Sequence, residues 1–175
     1  MTRLERDPPV PDTAAPAWAV AAAHLAALVP LPSSVWRLLL AAGFPAGYTA
    51  AGHAALDPHG WGAAYLVVLS LGTEAAALLT LGLVRPWGET VPGWVPGLGG
   101  RTVPVLAAVV PASLGVLVLT VLWTPFLAWW AIPHPDMTAT GAFLVGFAYL
   151  PLVLWAPLLA LVTWSFWRRR VAPAG

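Results

Sequence analysis

Glu74 is the residue of this sequence whose type and position point most clearly to chemistry. It lies within Gly60–Val84, a stretch otherwise free of charged residues and long enough to cross a bilayer as a helix. A carboxyl group at that depth costs at least ~2.5 kcal/mol, so it usually faces a protein interior, a partner or water. Glu74 is therefore the best candidate for a functional site in the chain.

Small and polar residues share one helical face with Glu74. At helical spacing this face collects Ser70, Thr73, Ala77 and Thr80, whereas the other faces carry leucine and valine. The pattern predicts that the carboxyl group points into a helical bundle and that the leucine side chains face lipid.

His24 is the candidate partner of Glu74. With four spans, both residues are expected ~15 Å from the cytoplasmic ends of their helices, at about 1.5 Å rise per residue. A buried hydrogen bond between imidazole and carboxyl would satisfy both groups, and such pairs serve proton relays. The alternative is a polar clamp that only joins two helices, with Glu74 protonated. The sequence leaves both hypotheses open.

Further histidine and aspartate residues fall in two segments between the predicted spans. They are His53, Asp57, His59, His134 and Asp136. Imidazole and carboxylate ligands suit zinc or copper, but these spacings match no metal motif, and Pro58 and Pro135 explain the segments as turns. Because the chain also lacks cysteine, thiolate sites are excluded. We expect neither a metal nor a cofactor.

The composition requires a lipid environment for most of the chain. Hydrophobic residues make up 59% and charged residues only 9% of the sequence, whereas a soluble domain has about 25% charged residues. The formal net charge of +1 gives no reason to expect nucleic acid as a partner. All basic residues are arginine, and the chain has no Lys or Asn, which suggests a bacterial genome of high G+C content. The bilayer is thus the first partner.

The hydropathy pattern predicts an all-α fold, a polytopic transmembrane helix bundle of four spans within residues 14–167. The predicted spans are about 14–31, 61–84, 103–125 and 139–164. We expect Pro30 and Pro32 to end the first span and residues 32–60 to form an extracytoplasmic or half-inserted segment. Residues 1–13 are predicted as a disordered cytoplasmic tail and 168–175 as an Arg-rich cytoplasmic tail. A fifth span over Leu38–Leu56 is the alternative.

The arginine positions predict the orientation. With four spans, every arginine except Arg37 falls on the side of both termini, which is therefore predicted to be the cytoplasmic side of a bacterial plasma membrane. Tryptophan and arginine near the span ends are expected to anchor the chain at the membrane interface. These predicted anchors are Trp36, Arg37, Arg85, Trp87, Arg168, Arg169 and Arg170.

Two segments resemble a known group of proteins. Leu31–Arg37, with the sequence Leu-Pro-Ser-Ser-Val-Trp-Arg, and Leu81–Glu89, which leads into Trp94-Val95-Pro96, resemble uncharacterised small membrane proteins of actinobacteria. The resemblance covers roughly residues 20–120. It implies a four-helix membrane protein, favours four spans over five, and carries no known activity.

Three classes of function remain open from the sequence. The first is a non-enzymatic accessory or self-associating membrane component, either a homo-oligomer or part of a larger membrane complex. The second is a bundle that conducts protons or small solutes through Glu74 and His24. The third is a membrane-embedded enzyme acting on a lipid or isoprenoid, with Glu74 as its acid or base. The lack of catalytic motifs favours the first class.

Overall fold

The computed structural model describes residues 14–57, 59–91, 93–97 and 99–171. Within these ranges the fold is all-helical, with two isolated β-bridges and no longer strand. The α-helices are α1 (Ala17–Leu28), α2 (Leu31–Ala41), α3 (Ala50–Ala55), α4 (Trp61–Leu79), α5 (Val105–Trp123), α6 (Ala139–Tyr149) and α7 (Trp155–Val171). Shorter 3₁₀ segments cover Thr80–Val84, Pro86–Gly88, Thr124–Ala131 and Leu150–Leu154.

The helices join into four rods that are long and apolar enough to cross a membrane. These spans are Ala17–Ala41, Trp61–Val84, Val105–Ala131 and Ala139–Val171. The prediction of a four-span helical bundle is therefore confirmed. The predicted disordered tail of residues 1–13 and the last four residues of the chain lie outside the described residues.

The first span is longer than predicted. Pro30 and Pro32 were expected to end it near residue 31, but α2 continues the rod to Ala41. Pro30 itself has right-handed helical dihedral angles, and prolines are accepted at the first positions of α2, where a missing N–H costs no hydrogen bond. The two prolines divide the rod without ending it. Ser33, Ser34 and Arg37 therefore belong to the first span and not to an external segment.

The segment between the first two spans does not form a fifth helix long enough to cross a membrane. After α2 the backbone turns through Gly43 and Gly47, which have φ angles of 88° and 91°, a region that glycine adopts at no steric cost. The following α3 has only six residues, whereas a span needs about 20.

Two short loops join at the end of the bundle away from the described chain ends. Thr49 and Thr138 cap α3 and α6, and each accepts a hydrogen bond from the amide of a glycine three residues later. The loops also pair with each other: the Thr49 amide donates to Asp136 O and the Thr138 amide donates to Gly47 O, both at 2.9 Å. The first and fourth spans are thereby tied together at this end.

At the opposite end the described chain ends lie near each other. The rings of Trp18 in α1 and Trp164 in α7 are 6.1 Å apart, so α1 and α7 run antiparallel. A core of buried alanines on α1, including Ala22 and Ala23, packs against Phe166 and its neighbours on α7. Because alanine is small, the two helix backbones approach closely.

The bundle is closed on one side and open on the other. The second span packs on the first, the first packs on α7, and α7 packs on α5. In contrast, α4 and α5 make little or no contact with each other. The four spans therefore leave a groove between α4 and α5, with α7 as its floor.

Candidate functional site

Arg37 is the most deeply buried charged residue in the described part of the chain, with only 4% of its surface exposed. Three serine hydroxyls surround its guanidinium. Nε donates to Ser70 Oγ at 3.1 Å, Nη2 to Ser34 Oγ at 3.0 Å, and Nη1 to Ser33 Oγ at 3.4 Å. Ser33, Ser34 and Arg37 share one face of α2, and Ser70 comes from α4. This serine cage joins the first two spans.

The serine cage contains no carboxylate. Among the described residues the ion pairs join only Glu89 to Arg169 and Arg170, so Arg37 is compensated by hydroxyl dipoles and by an aromatic face. Its guanidinium carbon lies 5.8 Å from the centre of the Tyr149 ring, close enough for a cation–π interaction. Burying an unpaired charge is expensive, so these contacts must hold α2, α4 and α6 in fixed positions.

A row of aromatic rings connects Tyr149 to the loop end of the bundle. Tyr149 stacks on Phe126 at 5.9 Å, Phe126 stacks on Trp129 at 4.9 Å, and Trp129 stacks on His134 at 3.7 Å. The Trp129 indole donates a hydrogen bond to Ala142 O at 2.9 Å. The third and fourth spans are therefore locked together near the serine cage.

Glu74 lies one helical turn after Ser70 on α4 and is partly buried. Its Oε1 atom is buried and has no hydrogen-bond partner among the described residues. On the same face, Ser70 and Thr80 are 1% and 3% exposed and Ala77 is fully buried, so the small and polar stripe faces the neighbouring helices. Thr73 is partly buried and donates its hydroxyl hydrogen to Leu69 O.

The expected hydrogen bond between His24 and Glu74 is not formed. The His24 side chain is exposed, with Nδ1 2.7 Å from Val20 O and Nε2 3.4 Å from Arg85 Nη2. Arg85 follows Glu74 by eleven residues, or ~16 Å along a helix at 1.5 Å per residue. The predicted depth of His24 was wrong, because α1 begins at Ala17 and not at residue 14, and because the first span continues through α2 to Ala41. His24 therefore lies closer to the end of the bundle than to Glu74.

The predicted interface anchors have different environments. Arg37 is the clear correction, because α2 points it towards α4 and away from the surface. Arg85 and Trp87 are exposed, and the Arg168 guanidinium lies 5.0 Å from the Trp164 ring centre. Trp36 is partly buried, and its indole nitrogen has no partner among the described residues.

Arg169 and Arg170 hold the long connection between the second and third spans. They lie 3.5 Å and 3.4 Å from the carboxylate oxygens of Glu89, and Arg169 also donates to Leu83 O at 2.8 Å. Arg170 donates to Val103 O at 3.2 Å. These contacts join the connection to the end of α7.

The histidine and aspartate residues of the two loops are not gathered into a metal site. Across the described ranges, which omit Pro58, no three His, Asp or Glu residues are placed to hold a metal ion. His134 instead contacts Trp129 O through Nε2 at 3.0 Å. The absence of a metal stays a prediction.

Burial raises the pKa of Tyr48 in the first loop, and the nearby Tyr149 and Asp136 raise it further.

The groove between α4 and α5 is a second candidate site, which the sequence reasoning missed. Its volume is about 540 Å³, within the usual range of ligand sites, about 300–1,000 Å³. Small residues line both walls and Trp155 lies at the floor. The small lining residues include Ala76, Gly82, Ala107, Ala112 and Gly115. Such a groove depends on which helices touch, which hydropathy alone does not reveal.

The serine cage, in contrast, has a signal in the sequence. Ser33, Ser34 and Arg37 recur at helical spacing within an apolar stretch, which could have identified a polar face had the helix been continued past Pro32. Comparison with known proteins gives no further guide, since no family model, curated protein or solved structure matches this chain.

Proposed function

We propose that this protein is a non-enzymatic, self-associating component of the bacterial plasma membrane. The polar groups inside its spans support a structural role. Ser33, Ser70 and Thr163 donate their hydroxyl hydrogens to backbone carbonyls of the preceding helical turn, and two of these hydroxyls also accept from Arg37. Groups committed in this way hold helices together and are poorly suited to act as nucleophiles.

The orientation proposed for the bundle places the described chain ends in the cytoplasm. Arg85, Arg101 and Arg168–Arg170 lie at that end, whereas the loops 42–60 and 132–138 contain no arginine. With Arg37 buried inside the bundle, this asymmetry is sharper than the sequence alone suggested, and it follows the positive-inside rule. An origin in actinobacteria remains a proposal that rests on the resemblance and the composition.

The outer face of α4 is the observation that carries the proposal of self-association. This face lies opposite Ser70 and Ala77, and all its members are exposed: Trp61, Tyr65, Val68, Gly72, Ala75 and Leu79. They alternate at spacings of four and three residues, as in a helix–helix seam. A Cβ atom built on Gly72 would meet nothing within 4 Å, so another helix backbone can approach there.

The exposed face of α5 provides the contrast. It carries large side chains such as Leu106, Leu117 and Val121, which are 68%, 60% and 68% exposed. The residues between them on this face, Val110 and Leu114, are also large. In contrast, Gly72 and Ala75 lie among the large side chains of the α4 face and let a second helix backbone approach. We therefore place the contact between two copies of the chain on α4 and not on α5.

Disulfide cross-linking in membranes tests this proposal, because the chain has no cysteine. A Gly72→Cys variant should form a covalent dimer under mild oxidation, whereas Leu117→Cys, the matched control on α5, should stay monomeric. A Gly72→Leu variant should lose the dimer in native mass spectrometry while keeping the wild-type helix content. Equal cross-linking at positions 72 and 117, or none at position 72, would contradict the proposal.

Conduction of protons or small solutes is the second candidate, and it is favoured by the buried Oε1 atom of Glu74, which has no hydrogen-bond partner among the described residues. Carboxyl groups inside membrane bundles often mark proton or ion pathways. Proton flux into proteoliposomes that is lost in Glu74→Gln, but kept in Thr73→Val on the same helix, would favour conduction. Equal flux for wild type and Glu74→Gln would leave only the structural role.

A further inference from the structure

The groove between α4 and α5 opens sideways, towards the surroundings of the bundle, because these two helices make little or no contact. Its lining is mostly apolar and comes from the second, third and fourth spans. In a bilayer, such an opening excludes water and is filled by something apolar. We propose that the groove binds one acyl chain of an anionic phospholipid, whose phosphate lies at the arginine-rich end of the bundle.

The length of the groove fits one leaflet of a bilayer. Its lining positions on α5 run from Ala107 to Leu119, which is ~18 Å at about 1.5 Å per residue. Half of the hydrocarbon core of a bilayer is about 15 Å. The groove begins at Gly88 and Val103, beside the connection between the second and third spans, and its floor ends at Trp155. A lipid entering from the arginine-rich end would therefore lie with its chain along α5.

The small side chains of the walls give room for an acyl chain. Ala76 on one wall and Ala107 and Ala112 on the other are places where a larger residue would fill the space. A Cβ atom added at Gly115 would lie 3.3 Å from the Leu159 side chain. The groove is therefore already narrow at the depth of Gly115. A volume of about 540 Å³ spread along this stretch of α5 suits a single acyl chain better than a whole helix, which is about 10 Å across.

Arginine side chains lie near the proposed phosphate position. Arg170 donates to Val103 O at 3.2 Å, and Val103 lines the groove. Arg101 precedes Val103 by two residues, is exposed, and forms no ion pair with a described residue. Glu89 supplies one negative charge against Arg169 and Arg170, so this end of the groove keeps an excess of positive charge that attracts anionic headgroups.

Native mass spectrometry of the wild-type protein, exchanged into phosphatidylglycerol or phosphatidylcholine with the same chains, tests the proposal. We expect one phosphatidylglycerol to remain on each chain after most detergent has been removed, and phosphatidylcholine to dissociate. An Arg101→Gln variant should lower the retention of phosphatidylglycerol about fivefold, as expected for one arginine near a lipid phosphate, without changing that of phosphatidylcholine.

An Ala107→Phe variant should lose the retained lipid, because the ring would fill the groove. Leu106→Phe is the matched control: its neighbouring position is 68% exposed and does not line the groove, so lipid should be retained. Three outcomes would overturn the proposal: no lipid on the wild type, equal retention of the two lipids, or a second protein chain in place of lipid. The comparison of the two lipids on the wild type decides the matter even if Ala107→Phe fails to fold.

Discussion

Arg37 joins several helices of the bundle, although no described residue gives it a carboxylate partner. Its planar guanidinium reaches serines on two helices at the same time, a geometry that the compact ammonium of lysine cannot reproduce. The residue therefore acts through hydrogen-bond geometry as well as through charge.

Removing one member of the serine cage should destabilise the protein. For Ser70→Ala we expect the free energy of unfolding in detergent to fall by about 1–3 kcal/mol, because a buried N–H of Arg37 loses its acceptor. Arg37→Lys should cost at least as much, since the compact ammonium cannot match the fork of N–H donors that the guanidinium presents to serines on two helices. Ser113→Ala on the exposed part of α5 is the control and should leave thermal stability unchanged. Equal stability of Ser70→Ala and wild type would show that the serine cage contributes nothing.

Glu74 differs from Arg37, because its buried Oε1 atom has no hydrogen-bond partner in the part of the chain that the structure describes. Replacing it should therefore not break any contact that holds the bundle together. Glu74→Gln and Glu74→Leu should both be at least as stable as wild type, and the largest gain expected is the cost of a charge in the membrane, about 2.5–3.5 kcal/mol. Thermal melting in detergent at neutral pH measures this. A large loss of stability in Glu74→Leu would mean that the carboxyl group has a partner in the membrane-bound protein.

For individual residues, the sequence predicts which side chains are functional candidates better than it predicts which of them contact each other. An acid within an apolar span is visible in the sequence, and so is the stripe with Ser70 and Thr80. The pairing with His24 failed because it depended on where α1 starts, and a shift of a few residues moves a side chain by a helical turn. The sequence places Arg37 at the surface only if Pro30 and Pro32 end the first helix, whereas α2 continues past both prolines and buries it.

The packing of the helices against the loops requires glycine at a few positions, because two stretches of backbone come close together there. Gly141 in the first turn of α6 faces Gly47 in the first loop, and a Cβ atom on Gly141 would overlap the Gly47 carbonyl. The same two loops exchange the hydrogen bonds of Thr49 and Thr138. A side chain at position 141 would therefore separate two elements that several hydrogen bonds hold together.

Gly141→Ala should lower the stability of the protein by roughly 1–3 kcal/mol, as overpacking in a tight interface does. Gly93→Ala, in the connection between the second and third spans, is the control, because a Cβ atom there meets nothing within 4 Å. In chemical or thermal denaturation in detergent, Gly141→Ala should therefore be less stable than wild type, whereas Gly93→Ala should be as stable as wild type. A Gly141→Ala variant more stable than wild type would show that the first loop can move away from α6 without losing stability.

The elements themselves could largely be predicted. Trp61–Val84 coincides with its predicted range, because it is a continuous apolar run with charges or prolines beside both ends. The first span was underestimated because a proline at the start of a helix and a proline that ends one look alike in sequence. Short 3₁₀ segments such as Thr124–Ala131 also extend the third span beyond prediction, since Pro125 is accepted in its first turn.

For the whole molecule, the orientation in the membrane is the simplest prediction to test. Single cysteines can be placed at Ala55, exposed in α3, and at Gly93, exposed in the connection between the second and third spans. An impermeant thiol reagent applied to intact cells should label Ala55→Cys but label Gly93→Cys only after lysis, because arginine-rich connections stay in the cytoplasm. Labelling of Gly93→Cys but not of Ala55→Cys in intact cells would mean that the topology is inverted. Equal labelling of both in intact cells would contradict the single span, Trp61–Val84, that lies between them.

Hydropathy is sufficient to predict the number of spans, but it does not predict which spans pack against each other. Each span is recognisable alone, whereas the open side between α4 and α5 results from packing between residues far apart in sequence, such as Ala77 with Trp155 and Ala23 with Phe166. Helices in lipid associate through shape and small residues, and these signals are too common in an alanine-rich chain to select one arrangement.

The serine cage also has a consequence for biosynthesis. Arg37 emerges from the ribosome 33 residues ahead of Ser70, so the first span reaches the insertion machinery before its partner exists. Releasing that span alone into hydrocarbon would expose a guanidinium at a cost of about 2.5–3.5 kcal/mol. The first two spans are therefore expected to leave the translocon together as a helical hairpin, and a ribosome stalled before Ser70 has emerged should hold the first span at the translocon.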